Sequence, residues 1–211
     1  MEISWISHAC FKIITENGKI LYMDPYKIPK DEQKADIVII SHSHYDHMDH
    51  KSINNIMKEE TIILGPFSIS KELKRYSGKG LEFGKEYEFD DIKIKPVRAY
   101  TIKKKTHPKE NNWMGYIITS DGIKIYHAGD TELIPEMKDL QSEKIKVALL
   151  PCGGNYTMDF QEAASAALDI NPKIVVPMHN WDKDLNEFKE LLNQRSSSIK
   201  VKILKDKNLK I

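Results

Sequence analysis

Cysteine is nearly absent from this sequence: Cys10 and Cys152 are the two among 211 residues. They lie far apart and neither belongs to a Cys-x-x-Cys pair, so neither a disulfide framework nor a zinc-ribbon spacing is available. An excess of one charge is missing as well. Lysine and arginine number 32 against 31 acidic residues, for a formal net charge of +1. Such a balance gives no general electrostatic footprint for nucleic acid or an anionic membrane, and no nucleic-acid partner is expected. Long apolar runs are lacking too. The stretches Ile37–Ile40 and Val147–Leu150 fall far short of the ~20 residues that a membrane-spanning helix requires. The start, Met1-Glu2-Ile3-Ser4-Trp5, has no basic segment followed by an apolar run, so a secretory signal is not expected and a cytoplasmic protein is. No solenoid repeat and no coiled-coil heptad occurs, which leaves the oligomeric state open.

What is present suits one compact domain, or two half-domains around a continuous core. Hydrophobic residues make up 40% and charged residues 30%, and the whole range 1–211 reads as a single unit without room for a large appended module. The first quarter is strand-like, with short apolar runs at Ile3–Ile6, Cys10–Ile14 and Ile20–Met23 and hairpin chemistry in Glu16-Asn17-Gly18-Lys19. Ala35–Ile40 is a continuous β-branched run, as a strand buried on both faces requires. Helices are expected over 49–58 and 68–75, and strands over 61–64, 81–83, 86–89, 92–94 and at Val97. The segment 101–112 is polar and reads as a loop. Strands at 114–119, 123–127, 146–150 and 174–176 alternate with helices over 159–168 and 182–193. Asp159 with Glu162 three residues on is a helix-start signature.

The segment Ser41-His42-Ser43-His44-Tyr45-Asp46-His47 carries the strongest chemical signal. Imidazole and carboxylate suit zinc, iron or manganese, and His42, His44, Asp46 and His47 within six residues resist explanation by packing. On a loop at a strand end, His42 and His44 can point the same way, and Asp46 and His47 can turn toward a second ion. Two ions need further ligands. His179 follows the strand ending in Val176-Pro177-Met178, and Asp130 follows the strand ending in Tyr126-His127, with Gly129 beside it. A carboxylate at Asp130 can bridge two cations. His107 lies in the polar loop, and His127 is read as a supporting or core residue rather than a ligand.

In order and approximate spacing, His42-x-His44-x-Asp46-His47, Gly129-Asp130-Thr131 and His179 resemble the metallo-β-lactamase superfamily. Trp113-x-Gly115-Tyr116, Leu150-Pro151 with Gly153-Gly154, Tyr156-Thr157-Met158 and Pro177-Met178-His179 are similar to its small prokaryotic hydrolases. Those are relatives of N-acylphosphatidylethanolamine phospholipase D and of the ascorbate-phosphate lactonase. The resemblance implies an α/β protein, an αββα four-layer sandwich. It also implies two divalent metal ions, with zinc as the default and manganese or iron as alternatives. One ion would take His42, His44 and His107, the other Asp46, His47 and His179, and Asp130 would bridge them. His8 and Asp24 match positions that support the metal loop, and for Asp24 a plain turn role stays open. His50 is read as solvated.

These readings imply a hydrolase for a small-molecule or lipid substrate. A hydroxide shared by the two ions would attack, with Asp46 or Asp130 steering it and passing a proton. A phosphodiester or phosphomonoester is the first expectation, and Lys103, Lys104, Lys105 and Lys109 could meet its oxygens. A lactone or another ester is the runner-up, and a non-catalytic metal-binding or sensor protein is the alternative of another class. Asn180-Trp181 stands where relatives often carry tyrosine, and Trp181 is expected to reshape the pocket. Diiron flavoprotein reductases place a glutamate where His44 stands. The helical domain of glyoxalase II and the inserted domain of the RNA-processing nucleases have no counterpart here.

Overall fold

In the computed structural model, which describes residues 1–205 and 207–211, the chain divides into two compact units. One comprises Met1–Glu82 with Leu204–Ile211, the other Phe83–Ile203. Each is built on one seven-stranded mixed sheet.

In the first unit the strands are β1 (Glu2–Ser7), β2 (Cys10–Ile14), β3 (Ile20–Met23), β4 (Ile37–Ile39), β5 (Ile62–Pro66) and β6 (Lys79–Leu81). They pair in chain order, and a last strand, Asn208–Lys210, adds to the free side of β1. β1, β2 and β3 pair antiparallel, whereas β3, β4, β5 and β6 run parallel. β1, β3 and β4 therefore share a direction, and their carboxyl ends lie along one edge of the sheet. The β-branched β4 is buried along its whole length, as its unbroken apolar run demands. Helix α1 (His50–Ile56) begins at Asp49, whose carboxylate accepts from the backbone N–H groups of Lys51 and Ser52. The helix expected over 68–75 is broken. A 3₁₀ turn at Phe67–Ile69 leads into α2 (Ser70–Leu73) and then a second 3₁₀ turn, Lys74–Tyr76, that stops at Ser77 in the left-handed region.

The second unit runs β7 (Tyr87–Phe89), β8 (Ile92–Arg98), β9 (Met114–Ser120), β10 (Ile123–His127), β11 (Val147–Pro151), β12 (Ile174–Met178) and β13 (Lys200–Val201), again paired in chain order. β7 to β10 form an antiparallel meander, and β10 to β13 are parallel. The carboxyl ends of β8, β10, β11 and β12 thus share one edge. Helix α3 (Phe160–Ile170) starts with a capping box between Asp159 and Glu162. Its Ala163, Ala164, Ala166 and Ala167 are fully buried. Helix α4 (Leu185–Arg195) is capped by Asp184. Among the described residues no helix is long and apolar enough to cross a membrane.

Candidate metal centre

In open α/β sheets, ligands gather outside the carboxyl ends of strands, and the chemistry-bearing residues of both units sit there. In the first unit His8 follows β1, Asp24 follows β3 and Ser41 with His42 follows β4. The carboxylate of Asp24 is fully buried. It accepts the Ser41 backbone N–H at 2.7 Å, the Ser41 hydroxyl at 2.7 Å and His47 Nδ1–H at 2.8 Å.

These bonds settle two tautomers. Because Ser41 Oγ gives its proton to Asp24, it can only accept from His42 Nδ1, 2.9 Å away. Both His42 and His47 therefore carry a proton on Nδ1, which leaves Nε2 as the atom each can offer a metal. His42 Nε2 and His44 Nδ1 meet at 3.0 Å, so the alternate residues of the loop do point one way. Asp46 places Oδ2 3.2 Å from His8 Nε2 and Oδ1 4.0 Å from His47 Nε2. Burial works to raise the Asp46 carboxyl, but the hydrogen bond from His8 and the charges of His47 and His8 hold it below the ordinary range. His8 supports the carboxylate rather than a ligand histidine, and its ring meets His47 edge-on with centroids 5.4 Å apart. Asp24, His42 and His47 each offer a ligand atom within 4.8 Å of the others, as do His8, Asp46 and His47.

In the second unit Asp130, three residues beyond β10, sets one oxygen between two imidazoles. Its Oδ2 lies 3.2 Å from His107 Nε2 and 3.0 Å from His179 Nε2. All three side chains are buried. Gly129 at φ +62° makes the turn into Asp130, and its N–H donates to His127 Nδ1 at 3.1 Å. His127 thus shapes the turn, as expected of a supporting residue. His179 takes φ +51°, and Trp181 and Asp182 follow at +48° and +61°, a strained turn of the kind that collects at functional sites. Gly153 packs beneath it, since a Cβ there would fall 2.3 Å from the His179 carbonyl oxygen. Trp181 is 42% exposed, beside Tyr156 at 5.7 Å between ring centroids.

Of the four lysines, Lys103 and Lys105 are exposed, whereas Lys104 and Lys109 are held. Lys104 Nζ donates to the Thr157 carbonyl at 2.7 Å, and Lys109 Nζ reaches Glu136 at 3.1 Å. Cys152 is fully buried, with its thiol pushed up to about 12 by burial, which disfavours a thiolate there. His50 is exposed as expected, yet its ring hydrogen-bonds the Tyr76 hydroxyl. Sequence reasoning missed Ser41 as a link in the ligand network and missed Glu132 altogether. Neither stands at a spacing that would announce it.

A family model described as a beta-lactamase superfamily domain matches residues 2–179. A UPF0173 metal-dependent hydrolase of Methanoregula boonei is 32% identical, with 97% of this chain and 95% of that protein covered. The chain belongs to the UPF0173 metal-dependent hydrolases of the metallo-β-lactamase superfamily. Another UPF0173 hydrolase, from Thermococcus onnurineus, is 32% identical with 96% of each chain covered. Among solved structures, a Parabacteroides distasonis protein assigned to the metal-dependent hydrolases is 38% identical with a TM-score of 0.87, covering 95% of this chain and 91% of its own. A metallo hydrolase of Ignicoccus hospitalis is 27% identical with a TM-score of 0.82, covering 100% of this chain and 98% of its own. The two mixed sheets with their helices are the α/β class and the metallo-β-lactamase fold that the motifs implied. The donor set fits a metal, because imidazoles converge with a buried carboxylate in each unit, Asp24 in the first and Asp130 in the second.

Proposed function

We propose that this hydrolase works with two divalent metal ions, zinc first and manganese or iron as alternatives, and cleaves a phosphodiester or phosphomonoester of a small molecule or lipid. The observation that carries the reading is the Asp130 oxygen shared between His107 at 3.2 Å and His179 at 3.0 Å, the arrangement of a carboxylate that bridges two cations. His42, His44 and His107 would hold one ion, and Asp46, His47 and His179 the other. When bound, such ions supply Lewis acidity and bring the pKa of a bound water down to about 7. The chain's own residues do the rest. Asp24 and Ser41 fix the tautomers of His47 and His42. Asp46, held ionised, accepts a proton from the attacking water and passes it to the leaving group. Residues 1–211 act as one hydrolase domain, a reading supported by relatives matched over nearly their whole length, and the domain works in the cytoplasm.

The test is elemental analysis of the purified chain, with phosphodiester, phosphomonoester and lactone substrates assayed beside an Asp130→Asn variant. Near two metals per chain and phosphoester turnover that the variant loses by about 100-fold or more is the expected result. Turnover confined to lactones would replace the substrate class and keep the centre. One metal or none across zinc, manganese and iron supplementation, with no turnover, would sink the dinuclear reading in favour of a binding or sensor protein.

A further inference from the structure

Glu132 lies two residues past Asp130 and is buried at 2% exposure. Its Oε2 accepts two consecutive backbone N–H groups, from Ile102 at 2.6 Å and Lys103 at 2.7 Å. Its Oε1 lies 3.1 Å from Lys104 Nζ, the same ammonium that donates to the Thr157 carbonyl. The neighbouring backbone tightens this hold. Glu132 N–H donates to the Tyr100 carbonyl at 3.0 Å, and Thr131 Oγ1 donates to that carbonyl at 2.9 Å. Within the loop, Thr101 N–H donates to the His107 carbonyl at 2.8 Å, and His107 N–H reaches Thr101 Oγ1 at 3.3 Å.

A buried carboxylate is costly unless its charge is met, and charge-assisted hydrogen bonds are the strong ones. Here one carboxylate meets two backbone donors and one ammonium, all from residues 102–104. A loop that spans 101–107 without regular structure has no ladder of its own to hold it. Beside its internal Thr101–His107 bonds, it is this contact that ties the loop to the segment after Asp130.

We propose that Glu132, with Lys104, is a positioning residue for the metal centre: the pair latches residues 101–107 to the segment after Asp130 and so fixes His107 against the Asp130 carboxylate. The proposal rests on the reading of His107 as a ligand. Glu132 contacts the loop at Ile102, Lys103 and Lys104 and acts on the centre through His107.

The test uses the full chain, first free of metal. Hydrogen exchange is followed at the Thr101, Ile102, Lys103 and His107 amides and at amides of β10 and β11. Glu132→Ala and Lys104→Met are expected to speed the loop amides at least about tenfold while the strand amides keep their rates. The double variant Lys104→Met/Glu132→Gln removes both charges but keeps a carbonyl acceptor for the two N–H groups, and is expected to be less affected than Lys104→Met alone. Zinc titration of Glu132→Ala should then show weaker binding by about 10–100-fold, the range for lost outer-shell support, with excess zinc recovering part of kcat. Glu110→Gln, an equal charge change at an exposed position in the 3₁₀ turn that follows the loop, should alter neither readout. Exchange that rises evenly through the second unit, or not at all, would overturn the latch. Faster loop exchange with unchanged zinc affinity would overturn its role at the centre. A wild-type chain that binds no metal would instead overturn the proposed hydrolase centre, and is told apart because the exchange contrast is read on metal-free protein.

Discussion

Asp24 does more at the scale of single residues than any ligand does alone. Two oxygens take three hydrogen bonds, at 2.7, 2.7 and 2.8 Å, and through them two imidazoles are turned and protonated on the correct side. An amide in its place would present an N–H₂ to one of the donors it now accepts from. Asp24→Asn should therefore lower metal affinity by about 10–100-fold with little loss of helical or sheet signal. Competition against a chromogenic chelator, with circular dichroism beside it, reads both. Unchanged affinity would leave Asp24 as the simple turn residue that the sequence alone also allowed. That ambiguity had a physical cause. Asp24 precedes Pro25 and takes φ +45°, so its local chemistry is that of a turn whether or not a ligand depends on it. The candidate ligands stood out in the sequence, because four of them fall within one six-residue stretch. Glu132 and Ser41 were not, because their importance lies in partners distant along the chain or in a proton's direction.

Among the elements, legibility followed local chemistry. α3 announced itself through Asp159 and Glu162 and through buried alanines at helical spacing. β4 did so through its β-branched run. The 3₁₀ stretch Pro135–Glu143 and the strands Lys200–Val201 and Asn208–Lys210 carried no such mark. Two or three residues are too few to show a period, and their pairing is decided by a neighbour strand already in place. The turn after β12 belongs here as well. It holds His179, Trp181 and Asp182 at positive φ, and Gly153 at the end of β11 lets it sit close. A Cβ at Gly153 would lie 2.3 Å from the His179 carbonyl oxygen and 2.5 Å from Trp181 Cδ1. The carbonyl is backbone and cannot swing aside, so the turn must move. Gly153→Ala should cost about 1–3 kcal/mol of stability and reduce kcat at least about tenfold, since small misplacements at a reacting centre are expensive. Thermal melts and steady-state kinetics test it. A variant with wild-type kcat would mean that the turn tolerates displacement and that His179 is not held by this packing.

On the scale of the whole molecule, each unit contributes a set of donors that is costly without a cation. Asp130 is buried against His107 and His179, and the half-buried Asp46 lies against His8 and the buried His47. Buried carboxylates and imidazoles lose hydration on folding, and a divalent ion returns favourable interaction only to the folded state. Metal binding must then appear as stability by mass action. At a free zinc concentration one hundred times the dissociation constant, the gain is about 2.7 kcal/mol. For a chain of this size that is a rise in Tm of roughly 5–10 °C. Removing metal with a chelator should lower Tm by that amount and abolish turnover, and adding zinc back should restore both. Asp130→Asn supplies the internal comparison, because it keeps the shape of the side chain while removing its charge. Its Tm should rise less on adding zinc. Equal shifts in the variant and the wild type would place the stabilising ion away from Asp130. No shift with zinc, manganese or iron would mean that the buried donors are satisfied by one another, and that the centre is structural rather than metallic.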